Sequence, residues 1–135
     1  MVEVRGTSVA DKIYNTAIAY GYTPEAAAAI VATISIENAG ADLIKFNGER
    51  YERYNLYCEN EGINPNLPDS KIAYIFYDLP RNKNYSASRI KYSSTIDEAV
   101  RSFNQDYLNK TLTSTQFITL TILANDINKI FVSNT

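Results

Sequence analysis

Apolar positions recur at helical spacing along most of the chain. Val9, Ile13, Ala17 and Tyr20 form one stripe, introduced by Ser8 and Asp11 in a capping-box arrangement and closed by Gly21. In "TPEAAAAIVATISIENAG", Thr23 is a natural N-cap, Pro24 suits the first helical position and Gly40 supplies a stop. No charge falls between Ala26 and Ile36, so this second helix is apolar nearly all round and belongs at the buried centre of a domain. "NGERYERYNLYCENEG" predicts a third helix closed by Gly62. Tyr51, Tyr54 and Cys58 share its apolar face, and Glu49, Arg50, Glu52 and Arg53 read as a solvated face with local ion pairs. In "TIDEAVRSFNQDYLN", Thr95 and Glu98 form a second capping box ahead of Ile96, Val100, Phe103 and Tyr107. A last helix, "STQFITLTILANDINKIF", carries Phe117, Leu120, Leu123, Ile127 and Ile130 on one face.

Two stretches are less regular. "DSKIAYIFYDLP", bounded by Pro68 and Pro80, is an apolar run compatible with a helix or a buried strand. "RNKNYSASRIKYSS" reads as the longest irregular segment. It interleaves Arg81, Lys83, Arg89 and Lys91 with Tyr85 and Tyr92, which suits a solvated loop, a polyanion contact or a rim around a ligand. About six helices with short connections, and no internal repeat or linker, predict one all-α domain over residues 1–135. With 45% hydrophobic residues, such a chain can bury roughly two-thirds of its unfolded surface.

Composition narrows the chemistry. There is no histidine, which removes Ser-His-Asp and Cys-His catalysis, histidine-ligated zinc and an imidazole switch. Cys58 stands alone, so no intrachain disulfide or thiolate cluster can form, and its place among the tyrosines suits a small core residue. Acid–base work must fall to Asp, Glu, Tyr or Lys. No phosphate-cradling glycine loop and no metal-ligand spacing is present, so no cofactor is expected. The net charge of −2 gives no electrostatic reason to expect nucleic acid. No run approaches the roughly 18 apolar residues of a membrane span. The start, "MVEVRGTSVADK", lacks the apolar segment of a signal peptide, so synthesis in a cytoplasm and release by another route are expected.

Glu37 is the first carboxylate after the long apolar run. It falls in the last turn of its helix, one turn beyond Thr33 and Ile34. Apolar surroundings and the negative end of a helix both disfavour the carboxylate and raise its pKa. Two readings stand: a helix-end residue that rotates into water beside Asn38, or a carboxyl held protonated for proton donation, as a glycosidase requires of its acid.

Four segments in order resemble the phage tail lysozyme family. "IYNTAIAYGYTPEAAAAIVATISIENAG" is similar to the family's opening helix, Gly-(Tyr/Leu)-(Thr/Ser) turn and Ala-rich buried helix ending in a catalytic Glu. "KFNGERYERYNLYCENEG" resembles its Gln-Trp-Thr-Gly-x-Arg segment and following helix. "SKIAYIFYDL" resembles a helix packed on that core, and "STIDEAVRSFNQDYLN" a late Ala-x-x-x-Phe-x-x-x-Tyr helix. The resemblance runs from about Ile13 to Asn109 and implies that "KIAYIFYDL" is helical. It implies a lysozyme-like fold, cleavage of the peptidoglycan glycan strand with Glu37 as general acid, and delivery by a virion made in a host cytoplasm.

The departures are specific. Only "NAGA" separates Glu37-Asn38 from "DLIKF", so the segment that builds one wall of the family's sugar cleft, its β-hairpin region, is expected to be reduced or absent. Asp42 stands at the family's Gly, Lys45 at its Gln and Phe46 at its Trp. An open cleft would desolvate Glu37 less, and Lys45 would stabilise its charged form. A partner carboxylate roughly 5–5.5 or 6.5–9.5 Å away is expected of a glycosidase, and Asp42 is the best-placed candidate. Lys45, Phe46, Tyr51 and Tyr54 are candidates to bind the glycan, since tyrosines stack on sugars while their hydroxyls bond sugar oxygens. For Tyr51 and Tyr54 a core role is an equal alternative; Tyr14, Tyr20, Tyr74 and Tyr77 read as core residues. The other reading of the whole chain is a degenerate lysozyme-like module whose partners are virion or tail proteins.

Overall fold

A computed structural model describes residues 2–37, 46, 48–81 and 87–133, with the side chains of Glu37 and Ala87 excepted. Its elements are α1 (Val9–Ala19), α2 (Pro24–Glu37), α3 (Gly48–Glu61), α4 (Pro68–Asp78), a 3-10 turn (Leu79–Arg81), α5 (Ala87–Lys91), α6 (Ile96–Ser102), a π-helical turn (Phe103–Tyr107) and α7 (Ser114–Ser133). No strand occurs among the described residues, and "KIAYIFYDL" is helical as the resemblance implies. Asn38 to Lys45, where the reduced cleft wall was expected, lie outside the described residues.

The helix starts form as their sequences dictate. Ser8 Oγ accepts from the Asp11 N–H at 3.0 Å, and Thr95 Oγ1 from the Glu98 N–H at 3.1 Å. The last helix starts at Ser114, as its sequence segment predicts, with Thr113 as its N-cap. Thr113 Oγ1 accepts from the Gln116 N–H at 3.1 Å, and the Gln116 side chain accepts from the Thr113 N–H at 2.9 Å, a reciprocal box. At α1, Thr7 Oγ1 also donates to Asp11 Oδ2 at 2.9 Å. Bonds from Thr7 and then Ser8 hold the Asp11 carboxyl below the usual carboxylate range. A depressed folded-state pKa contributes stability above the unfolded pKa and loses it as pH falls through the folded value. Thermal melts taken below about pH 5 are therefore expected to fall more steeply for wild type than for Asp11→Asn.

α2 is the centre of the fold. Ala26 to Ala32 and Ile34 are at most 1% exposed, and α1, α6 and α7 pack around them. The four consecutive alanines permit this, because a methyl group lets neighbouring backbones approach from every side. Thr23 fixes the helix start from three directions. Its Oγ1 accepts from the Ala26 N–H at 3.1 Å and donates to the Ser93 carbonyl at 2.6 Å, while its N–H reaches the Lys91 carbonyl at 3.0 Å. α1 closes against α7 through Tyr14 stacked on Phe131 at 4.1 Å, and meets α4 through Lys12 and Asp69 at 2.8 Å.

Several sequence expectations are corrected. Part of the segment read as irregular is helical: α5 forms because Ile90 is fully buried and anchors it. The helix read through Asn109 keeps Ile96, Val100, Phe103 and Tyr107 buried, but it widens into the π-helical turn after Ser102. On α7, Leu120 and Ala124 make the buried line and Ile130 is 59% exposed, because the core-facing strip is narrower than the apolar pattern. Tyr20 ends α1 at the surface, 40% exposed. On α3 the buried positions are Tyr54, Tyr57 and Cys58, with Arg50 largely covered, and Tyr51 sits off that face at 52% exposure. Cys58 is a core residue, 1% exposed, and burial pushes its thiol upward. A thiol-specific reagent at neutral pH is therefore expected to label native protein far more slowly than denatured protein, with a rate set by opening of α3. Fast native labelling would contradict this packing.

Candidate functional site

The last turn of α2 is the natural starting point, because it combines a buried helix with an open end. Thr33 is 1% exposed and Ile34 equally buried, while Ile36 is 43% exposed. Thr33 and Ile36 line a cleft of about 150 Å3, closed on its other side by Lys110, Leu112, Thr115, Gln116, Thr119 and Leu120. This places the end of the central helix against the chain that follows the π-helical turn and against the first turns of α7. Apolar walls with a few hydroxyl and amide groups suit a small amphipathic group. Glu37 is the final residue of α2, one helical turn beyond Thr33; its side chain lies outside the described residues, as do Asp42 and Lys45.

Of the other expected binding residues, the structure brings two together in the core. Phe46 is 6% exposed, with its ring 4.9 Å from Tyr54 and 5.3 Å from Tyr74. Tyr54 is buried, and its hydroxyl donates to the Pro65 carbonyl at 2.7 Å. Burial raises the Tyr54 hydroxyl well above its ordinary value and pushes that of Tyr57 up to about 12. These rings form one cluster with Tyr74 and Tyr77, an aromatic wedge between α3 and α4. Tyr51 stands apart on the surface.

The charged residues of α3 divide in the same way. Arg53 and Glu49 pair on the outside at 3.8 Å, as a solvated helix face should. Arg50 does not belong to that face. Its Nη2 donates to the Tyr107 carbonyl at 2.6 Å, its guanidinium lies 4.4 Å from the Tyr107 ring centre, and its Nε is 3.6 Å from Asp78 Oδ2. The last distance makes an ion pair rather than a direct hydrogen bond. Arg50 thus joins α3, α4 and the π-helical turn. The signal was present in Gly48-Glu49-Arg50, the Gly-x-Arg of the resembling segment, but charge interleaving alone could not separate Arg50 from Arg53.

A second residue missing from the sequence reading is Asn104, fully buried in the π-helical turn. Its Nδ2 donates to Thr33 Oγ1 at 3.2 Å and to the Val100 carbonyl at 2.9 Å. The cations around residues 81–92 are drawn into internal contacts. Arg81 donates to the Tyr77 carbonyl at 2.8 Å and covers its ring, and Arg89 reaches Ser102 at 3.0 Å and Asp106 at 3.5 Å. Lys91 sits within 6 Å of the Tyr22 and Tyr92 rings. Lys83 and Tyr85 lie outside the described residues. No helix among the described residues is long and apolar enough to cross a membrane.

A buried alanine-rich helix, surrounded by other helices and opening at its C-terminal end into a cleft, defines a lysozyme-like all-α domain. The phage tail lysozyme family model matches residues 8–117, and the chain belongs to that family. No individual curated protein matches it.

Proposed function

We propose that this protein is a virion- or tail-associated glycosidase that cuts the peptidoglycan glycan strand, with Glu37 as the general acid. The observation that carries the reading is the family match across residues 8–117, which includes the buried helix ending at Glu37. The position in the chain suits the chemistry: the C-terminal end of a helix disfavours a negative charge, and a protonated carboxyl there can give its proton to the leaving glycosidic oxygen. At the anomeric carbon, water activated by Asp42 would displace the protonated leaving oxygen, or Asp42 would displace it as nucleophile and water, deprotonated by Glu37, would then hydrolyse the glycosyl-enzyme. The cleft beside Thr33 and Ile36 would seat part of the glycan, with Lys45 and the exposed Tyr51 as further contacts. Phe46 and Tyr54 would serve by supporting the wall from within.

A second reading has its own support. Phe46, at the position of the family's Trp, is packed into the aromatic wedge, which favours a module retained for binding or assembly within a phage particle. Digestion of purified peptidoglycan by wild type and Glu37→Gln, side by side across pH 4 to 8, separates the two. Cleavage by wild type alone supports the glycosidase. Absence of cleavage by both supports the module.

A further inference from the structure

The end of α2 and the start of α3 flank the chain segment 38–47, which carries Asp42 and Lys45. Both flanks are held by the same short feature, the π-helical turn Phe103–Tyr107. On one side Asn104 donates to Thr33 Oγ1 at 3.2 Å, and Thr33 in turn donates to the Ala29 carbonyl at 2.8 Å. That chain of bonds gives the Thr33 side chain a single orientation, one helical turn before Glu37. On the other side the Tyr107 carbonyl accepts from Arg50 at 2.6 Å, and the Tyr107 ring lies under the guanidinium.

A π-helical turn has wider spacing around the axis than an α-turn, and it survives where surrounding contacts hold it. The widening spreads residues 104 and 107 apart, so that one meets α2 and the other meets the N-terminus of α3. Asn104 also supplies its amide to the Val100 carbonyl, which helps hold the widened turn and identifies its nitrogen. Its Oδ1, however, is buried without a hydrogen-bond partner. An unsatisfied buried acceptor is costly to stability, and an apolar side chain of similar size would avoid it.

We propose that the π-helical turn is a positioning device for the cleft, with Asn104, acting through Thr33, as the positioning residue. Its catalytic consequence rests on the reading of Glu37 as general acid; its mechanical part does not. The test uses the full chain carrying Asn104→Leu, Thr33→Val, the two together, and Thr33→Ser. Hydrogen exchange is compared between peptides covering residues 33–37 and those covering α1 and α4, and kcat and KM are measured on soluble glycan fragments.

Asn104→Leu and Thr33→Val are each expected to speed exchange at 33–37 about tenfold while α1 and α4 keep their rates. For Asn104→Leu, which lies outside the cleft lining, kcat should fall about tenfold with KM little changed, because a small displacement of a catalytic group acts on the chemical step. The double variant should be no worse than the worse single one, and Thr33→Ser, which keeps the hydroxyl, should keep the wild-type exchange rate at 33–37. Exchange that rises equally in all helices, or Thr33→Ser behaving like Thr33→Val, would overturn the positioning role. So would faster exchange at 33–37 with unchanged kcat in an active enzyme. If wild type cuts no glycan, the glycosidase reading fails by itself, and the exchange pattern alone then supports or overturns the mechanical role.

Discussion

Under the proposed glycosidase reading, Glu37→Gln is expected to leave the domain folded and to abolish cleavage of peptidoglycan. The substitution preserves the length and shape of the side chain at the last position of α2. A negative charge at a helix C-terminus opposes the backbone dipole, so the neutral amide should leave thermal stability unchanged or slightly higher. What it removes is a transferable proton. General acid catalysis is typically worth about 10²–10⁴-fold, so a loss of that order is expected in kcat/KM on glycan fragments, with the melting temperature as the control. The direction of the pH dependence follows from the same role. The acid must be protonated to act, so wild-type activity should fall as pH rises through the Glu37 pKa, and this limb should be absent from any residual activity of Glu37→Gln. Equal cleavage by both proteins would exclude Glu37 as the acid.

The largest effect on stability is expected at Arg50. Its side chain is 18% exposed and that of Asp78 only 7%, so both charges are held largely out of water. Removing one member of a largely buried pair is strongly destabilising, by about 3–5 kcal/mol. Arg53 also feels the charge of Asp78, which places Arg50→Ala nearer the lower end. A loss of about 3 kcal/mol corresponds to a drop of roughly 10 °C in melting temperature for a domain of this size. Arg50→Lys keeps the charge but lacks the planar fork that reaches the Tyr107 carbonyl and lies over its ring, so it should recover only part of the loss. Arg53→Ala, on the solvated side of the same helix, should cost well under about 1 kcal/mol. Urea unfolding of the three variants measures this order directly, and an Arg50→Ala protein as stable as Arg53→Ala would show that the buried pair contributes nothing.

The contrast between these neighbouring arginines illustrates what a sequence can and cannot carry. In "GERYERY" both occupy the same repeated context of a carboxylate before and a tyrosine after. Only the arrangement of α4 and the π-helical turn around α3 makes one a core cation and leaves the other half-exposed, between Tyr74 and Glu49. Tyr51 and Tyr54 divide for the same reason. Both are tyrosines on one helix, but the wedge of Phe46, Tyr57 and Tyr74 forms around the second. The candidate site was legible as a position, Glu37 at the end of an uncharged run, because that depends only on consecutive residues. Its cleft was not, because its walls come from α2 and from the residues around the start of α7.

By itself the sequence determined most of the helices, the caps at Ser8, Thr23 and Thr95, the buried place of α2 and the family to which the chain belongs. Those properties are local: 3.6-residue periodicity, a Ser or Thr before a helix, a Pro at its first position and an ordered series of short motifs. The tertiary structure alone decided which apolar residues stay exposed on α7, which arginine is buried, and where the π-helical turn falls. It alone joined Asn104 to Thr33, residues 71 apart in the chain. Such choices follow from how whole helices fill space against one another, and no short window of sequence contains both sides of the contact.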